Sequence, residues 1–366
     1  MNKIRVGIIF GGKSAEHEVS LQSAKNILSA LNKKKYEVVL IGIDKTGRWY
    51  LNEDSKALLN ENDPRLIQLN HSNQEVALVP GSVSNQLINI TNQTSLGQID
   101  VVFPILHGPF GEDGTMQGLL KLANIPFVGA GVLGSAVGMD KDVMKRLMRA
   151  DGIKIADFVT YGYGDKDAIN YDSVVETLGL PLFVKPANLG SSVGISKVSN
   201  RDSFNKAIEN AFQYDTKIII EENITGREIE CAVLGNEDPI ASLPGEVLPQ
   251  ADFYSYEAKY IDEKGAILEI PAKLSPSEIA LVQESSILAY KSLCCEGMAR
   301  VDLFLKENGD ILVNEINTIP GFTRISMYPK LWETSGLPYD KLIDRLIELA
   351  LERFNREQAL KTNVEI

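Results

Sequence analysis

A chain of 366 residues, 44% of them hydrophobic and 23% charged, has ample apolar material for folded cores and is not a disordered chain; at roughly 100–200 residues per domain it should form two or three. Lys and Arg number 37 against 49 Asp and Glu. The net charge of −12 repels phosphate backbones and argues against a nucleic-acid scaffold, but leaves room for a local basic cleft.

No apolar run reaches the ~20 residues of a membrane span. The opening Met1 to Arg5 runs into a short apolar stretch closed by Gly11-Gly12, unlike a secretory signal. Three cysteines without a CxxC pair and three histidines support neither a disulfide framework nor a zinc site. Cys231, Cys294 and Cys295 read as small core hydrophobes, and the compartment as reducing, hence cytoplasmic.

Val6 to Phe10 is apolar, as in a buried parallel strand. Gly11-Gly12 follows, then a helical pattern through Val19, Leu21, Ala24, Ile27, Leu28 and Leu31, with Ser14 as its cap. Tyr36 to Ile43 is the next strand, residues 52–98 read as loops and short strands, and Asp100 to Leu106 is a strand ending at His107-Gly108. Strands alternating with helices predict a parallel, doubly wound sheet, with ligands beyond the strands' carboxyl ends.

A second unit begins near residue 129. Met139 to Ala150 has a helical pattern, Leu182 to Pro186 a strand pattern that leaves into a Gly/Ser loop, and Lys217 to Glu221 a strand pattern. A third unit runs from about 225. Met298 to Lys306 and Ile311 to Ile316 are strands joined through Glu307-Asn308-Gly309-Asp310, a hairpin turn. An amphipathic helix from Tyr339 to about Glu357 closes the chain.

Four groups could do chemistry. Glu315 and Asn317 share a strand face, and Asp302 on the paired strand can lie on it too. Two carboxylates and an amide oxygen suit Mg²⁺ rather than zinc; a solvated hairpin face is the alternative. Lys185 and the loop Gly190 to Gly194 offer a point charge, N–H groups and hydroxyls to phosphate, although the order is not Walker A and a plain flexible turn also fits. Glu16 stands just before a helix, where it either faces the helix dipole or holds a substrate ammonium. His107 lies in a Gly-rich strand-end loop, a better functional setting than most.

Taken in order, FGGKSAEHEVS (10–20), HGPFGEDGTMQG (107–118), MDK (139–141), VKPANLGSSVG (184–194), FYSYEAKY (253–260), RVDLF (300–304) and NEINTIPGFTRIS (314–326) closely resemble the motifs of D-alanine–D-alanine ligases, members of the ATP-grasp superfamily. The resemblance covers nearly the whole chain. It implies a three-domain ATP-grasp fold of the α/β class. An N-terminal Rossmann-like substrate domain (1–128) is followed by a central ATP-grasp domain (129–224) and a C-terminal one carrying the metal site (225–366).

The resemblance also implies a reaction and its residues. One D-alanine is phosphorylated by ATP, and a second attacks the acyl phosphate, for peptidoglycan precursor synthesis. Lys141, Lys185 and Lys259 would reach the ATP phosphates, with Ser191 and Ser192 in the covering loop. Asp302, Glu315 and Asn317 would hold two Mg²⁺ (or Mn²⁺) ions. Arg300 and the N–H of Gly321 would form the oxyanion site. Glu16, helped by His107, would take the first ammonium and Ser326 the second carboxylate. Glu221, Glu222 and Ile224 resemble the adenine-binding run, Glu228 the ribose-binding acid, and Phe253 a neighbour of the base. Tyr260, neutral and tied to Glu16 and Ser191, favours peptide over ester synthesis; a D-lactate or D-serine ligase is the alternative. D-alanine and ATP are the expected partners, with no nucleic acid or membrane, in a homodimer.

Overall fold

The computed structural model describes residues 3–52, 58–59, 67–70, 74–82, 86–249, 266–323 and 325–361. Three larger sheets organise them. The first takes β1 (Ile4–Gly11), helix α1 (His17–Ala30), β2 (Tyr36–Ile43) and β3 (Trp49–Asn52). Four strands of two or three residues follow: β4 (Leu58–Leu59), β5 (Gln68–Leu69), β6 (Val76–Leu78) and β7 (Leu87–Asn89). The unit ends with β8 (Val101–Ile105) and α2 (Thr115–Leu122). The sheet order is β3-β2-β1-β8, with β1 parallel to β2 and β8 and β3 antiparallel at the edge.

The alternation along β1 shows why the sheet is covered on both faces. Val6, Ile8 and Phe10 join one core, Ile9 the other. The first core is shared with the far end of the chain. Phe322, Tyr328, Trp332, Leu342 and Leu346, from helices α8 (Met327–Thr334) and α9 (Tyr339–Gln358) and the loop before them, pack on it. The Tyr36 hydroxyl donates to Asp344 at 2.8 Å across the same junction.

Two short helices connect to the next unit, α3 (Val132–Met139) and α4 (Lys141–Ala150). The expected helix from Met139 to Ala150 is therefore broken at its second residue. Asp140 is extended (ψ 101°) and its carboxylate accepts from the Val143 N–H at 3.0 Å, so it caps a new helix rather than continuing an old one. Ser14 is likewise not a helix cap. The helix begins at His17, and the Ser14 hydroxyl accepts from the Glu16 N–H at 3.0 Å, within the preceding turn.

The second sheet is antiparallel. Its elements are β9 (Phe158–Gly162), α5 (Tyr171–Leu178), β10 (Leu182–Pro186), β11 (Ser196–Val198), α6 (Arg201–Ala211) and β12 (Lys217–Glu222), in the order β11-β10-β12-β9. Helices α5 and α6 bury Val174, Phe204 and Ile208 against Leu182, Val184, Ile218 and Ile220 on one face. The alternate residues Phe183, Lys185 and Glu221 face the other way.

The third sheet runs β16-β15-β13-β17-β18, with β14 beside β13. Its strands are β13 (Arg227–Gly235), β14 (Ile240–Ala241), β15 (Gly245–Pro249), β16 (Ala266–Glu269), β17 (Gly297–Leu305) and β18 (Ile311–Asn317), with α7 (Pro276–Ser292) between β16 and β17. Cys231, Val301, Leu303 and Val313 meet Met144 and Met148 of α4 and Val282 and Ala289 of α7. The expected hairpin between β17 and β18 is present, with Gly309 at φ +84° in its turn. Of the cysteines, Cys231 and Cys295 are buried as expected, but Cys294 is exposed. It turns the chain after α7 at φ +53°, so it and Cys295 face opposite ways.

Candidate active site

The uncovered faces of the second and third sheets oppose each other across a cleft of about 240 Å³. Its lining includes Lys141, Lys185, Ser191, Ser192, Glu221, Glu222, Ile224, Glu228, Asp302 and Glu315, so ten of the residues singled out from sequence converge on one space. Phe253, Lys259 and Tyr260 lie outside the described residues.

A carboxylate row crosses the floor. Glu230 of β13 pairs in register with Asp302 of β17, and Asp302 with Glu315 of β18. The last pairing depends on a β-bulge. The register shifts between Asp302 and Leu303, leaving Asn314 as the extra residue. Opposed residues of an antiparallel pair share a face, so the bulge is what puts Glu315 and Asn317 on the face of Asp302. The Asn317 amide donates to Asp302 at 3.1 Å. Arg300 donates to both Asp302 oxygens at 2.7 and 2.8 Å and pairs with Glu230 at 2.9 Å. Lys141 stands 3.3 Å from Glu315 and donates to the Leu189 carbonyl at 2.7 Å.

The donor set fits a hard divalent cation. Oxygen ligands of two acids and one amide are brought to one face, and with Glu230 the three acids of the row outnumber the two cations Arg300 and Lys141. Among the described residues no three His, Cys, Asp or Glu side chains form a ready-made metal cage.

A buried ion triad runs from the cleft's inner wall into the interior behind it. Lys185 donates to one oxygen of Glu221, and Lys145 stands 2.8 Å from the other. Burial alone would raise the Glu221 carboxyl, but the two lysines outweigh it and hold it at about 2. For Lys185, too, burial works against the charge and Glu221 wins, so its ammonium is held above the usual range. In Lys145 burial prevails and lowers it.

At the other end, the Gly/Ser loop closes on the first unit. Ser191 and Ser192 take left-handed φ angles of 52° and 61°, and the Ser191 hydroxyl donates to Glu16. Glu16 is 5% exposed, at the start of α1. His107 holds the loop after β18. Its Nδ1 donates to the Ile319 carbonyl at 3.0 Å, and its Nε2 accepts from the Ser23 hydroxyl at 3.2 Å. Burial lowers this imidazole to about 4, so it is neutral and its tautomer follows from the carbonyl partner. Glu112 ties the same two loops, accepting from the Gly108 N–H at 2.6 Å and the Ile319 N–H at 3.2 Å. Burial, then the charge of Glu16, push its carboxyl up to about 8. Gly321 is buried in the clamped loop. Ser326 is the N-cap of α8, with its hydroxyl 2.7 Å from that of Thr323.

Sequence reasoning missed three residues here. Lys145 stands one turn after Lys141, and Glu230 two residues after Glu228, so helix and strand periodicity placed each on the right face. Glu112 lies inside a quoted motif without a role assigned to it.

Opposed sheets enclosing lysines, a Gly/Ser loop and a carboxylate row, beside a Rossmann-like sheet, define an ATP-grasp enzyme: an ATP-dependent ligase. Models of the D-Ala D-Ala ligase N-terminus and C-terminus match residues 5–130 and 147–348. A D-alanine–D-alanine ligase of Oceanobacillus iheyensis is 59% identical over 361 residues, 99% of each chain. The solved D-alanine–D-alanine ligase of Coxiella burnetii superposes with a TM-score of 0.84 at 42% identity, over 98% of this chain and 97% of that one. A solved D-Ala:D-Ser ligase of Enterococcus faecalis gives the same TM-score, 0.84, at 37% identity over 95% of this chain and 100% of that one. The chain belongs to the D-alanine–D-alanine ligase family.

Proposed function

We propose that the chain joins two D-alanines through a D-alanyl phosphate, releasing ADP and phosphate, in peptidoglycan precursor synthesis. The observation that carries this reading is the tie between Glu16 and Ser191. It joins the ammonium-binding acid of the first unit to the phosphate loop of the second, so an amino acid whose ammonium is held at Glu16 presents its carboxylate to a nucleotide in the cleft. Lys141 and Lys185 neutralise phosphate charge, and Ser192 contributes its hydroxyl from the covering loop. Arg300, held by Asp302 and Glu230 before any ligand binds, meets the developing oxyanion together with the Gly321 N–H. Asp302, Glu315 and Asn317 would hold the divalent ions, which, when bound, neutralise and orient the phosphates. Glu221, the backbone of 222–224 and Glu228 receive adenine and ribose. Ser326, at the N-terminus of α8, receives the second carboxylate.

Working units of 1–128, 129–224 and 225–366, a homodimer and a cytoplasmic location complete the proposal. Among the described residues no helix is long and apolar enough to cross a membrane. Incubation with D-alanine, ATP and Mg²⁺, with products separated by chromatography, should give D-alanyl-D-alanine and ADP. AMP with pyrophosphate would replace phosphorylation by adenylation and sink the reading, as would absence of D-alanine-dependent phosphate release.

A further inference from the structure

Lys145 has no part in the chemistry above, yet it is among the most deeply buried side chains of the protein at 1% exposure. It does not line the nucleotide cleft, whereas Glu221, 2.8 Å from it, does. A lysine sealed in this way cannot meet a substrate, so its effect must pass through its partner. Burying an ammonium is expensive, and a methionine would fill the same volume without that cost.

The arrangement around Glu221 suggests what the charge is for. Lys185 engages one Glu221 oxygen and is the more exposed of the two lysines, its side chain 14% exposed. A nucleotide phosphate entering the cleft competes for that ammonium. If Lys185 were the only counter-charge, drawing it toward phosphate would leave Glu221 as a buried, uncompensated anion, which would take up a proton. A carboxylate accepts from the exocyclic amine of a 6-aminopurine and repels the oxygen of a 6-oxopurine. A protonated carboxyl tolerates either.

We infer that Lys145 is a positioning residue that keeps Glu221 anionic and fixed while Lys185 turns to the phosphates, and that it thereby sets the cleft's preference for a 6-amino over a 6-oxo purine. The inference rests on the placement of adenine at Glu221 proposed above. It extends it to a side chain outside the binding surface, on α4 rather than on the strands that form the cleft.

The test is Lys145→Met, compared with wild type for kcat and KM with ATP, ITP and D-alanine, and for binding of a β,γ-imido ATP analogue by calorimetry. The expected result is a fall of about tenfold or more in the ATP-over-ITP ratio of kcat/KM, with weaker binding of the analogue and a D-alanine KM within about twofold of wild type. An unchanged ATP-over-ITP ratio in a folded variant overturns the inference. So does a parallel rise in the ATP and D-alanine KM values, which signals general loosening of the site. If circular dichroism shows the single variant unfolded, Glu221→Gln is compared with Lys145→Met/Glu221→Gln, in which no carboxylate remains for Lys145 to hold. Equal ATP-over-ITP ratios in the two support the inference, and a further change on removing Lys145 overturns it. Failure of the ligase reading is separable, because wild type would then make no dipeptide, while calorimetry still reports on Lys145.

Discussion

Asp302→Asn tests the carboxylate floor most directly. Asp302, Glu230 and Glu315 lie in one row, faced by Arg300 and Lys141, so the site has one net negative charge. The substitution removes that charge and one anionic ligand while keeping shape and one acceptor oxygen. Arg300 retains Glu230 at 2.9 Å, so the fold should keep its thermal midpoint within a few degrees. Losing one preorganised electrostatic group at a reacting centre costs on the order of 10²–10³ in rate, about 2.7–4 kcal/mol. The assay is dipeptide formation as Mg²⁺ is titrated, with Mn²⁺ binding followed by electron paramagnetic resonance. The expected result is at least a hundredfold lower kcat/KM, a higher Mg²⁺ requirement and weaker Mn²⁺ binding in a folded protein. Near-normal turnover with an unchanged Mg²⁺ requirement would show that Asp302 holds no ion, and the donor-set argument would fail with it.

Three further outcomes follow from contacts elsewhere. Glu112 has its carboxyl raised to about 8, so the folded protein binds more protons there than the unfolded chain between about pH 4.5 and 8; stability is fully present below that window and is lost as pH rises through it. The thermal midpoint of wild type relative to Glu112→Gln should therefore fall across this range, and a flat difference would refute the assignment. Arg353, buried on α9, donates to the Gly129 and Phe127 carbonyls at 2.6 and 2.7 Å; Arg353→Met should destabilise by about 2–4 kcal/mol, read by denaturant unfolding, and a change below ~1 kcal/mol would show the clamp to be unimportant. Ser191→Ala breaks the tie to Glu16 and should lower dipeptide formation at least tenfold without changing the thermal midpoint by more than a few degrees; full activity would separate the loop from the first D-alanine.

Much of the architecture was legible in the chain. The apolar Val6–Phe10 run, the 3.6-residue spacing from Val19 to Leu31 and the Gly309 turn act over short distances, where pleat, helix pitch and glycine conformation dictate the outcome. The motif order also marked the residues that line the cleft. Local pattern was less reliable where one side chain could satisfy the backbone in two ways. Asp140 ended a helix that periodicity alone would have continued, and Cys294 turned outward beside a buried neighbour.

Other features exist only once distant segments meet. The two-residue spacing of Glu315 and Asn317 placed them on a common face, but which face of the sheet that was depended on the register with β17. Without the bulge, Asp302 would oppose Asn314, and Glu315 would point to the apolar side with Val301. One extra residue in the ladder reverses every side chain beyond it, and no periodicity within either strand records that insertion. The neutral tautomer of His107 and the elevated carboxyl of Glu112 likewise arise only because residues near 110 and near 319, separated by most of the chain, close on each other and exclude water.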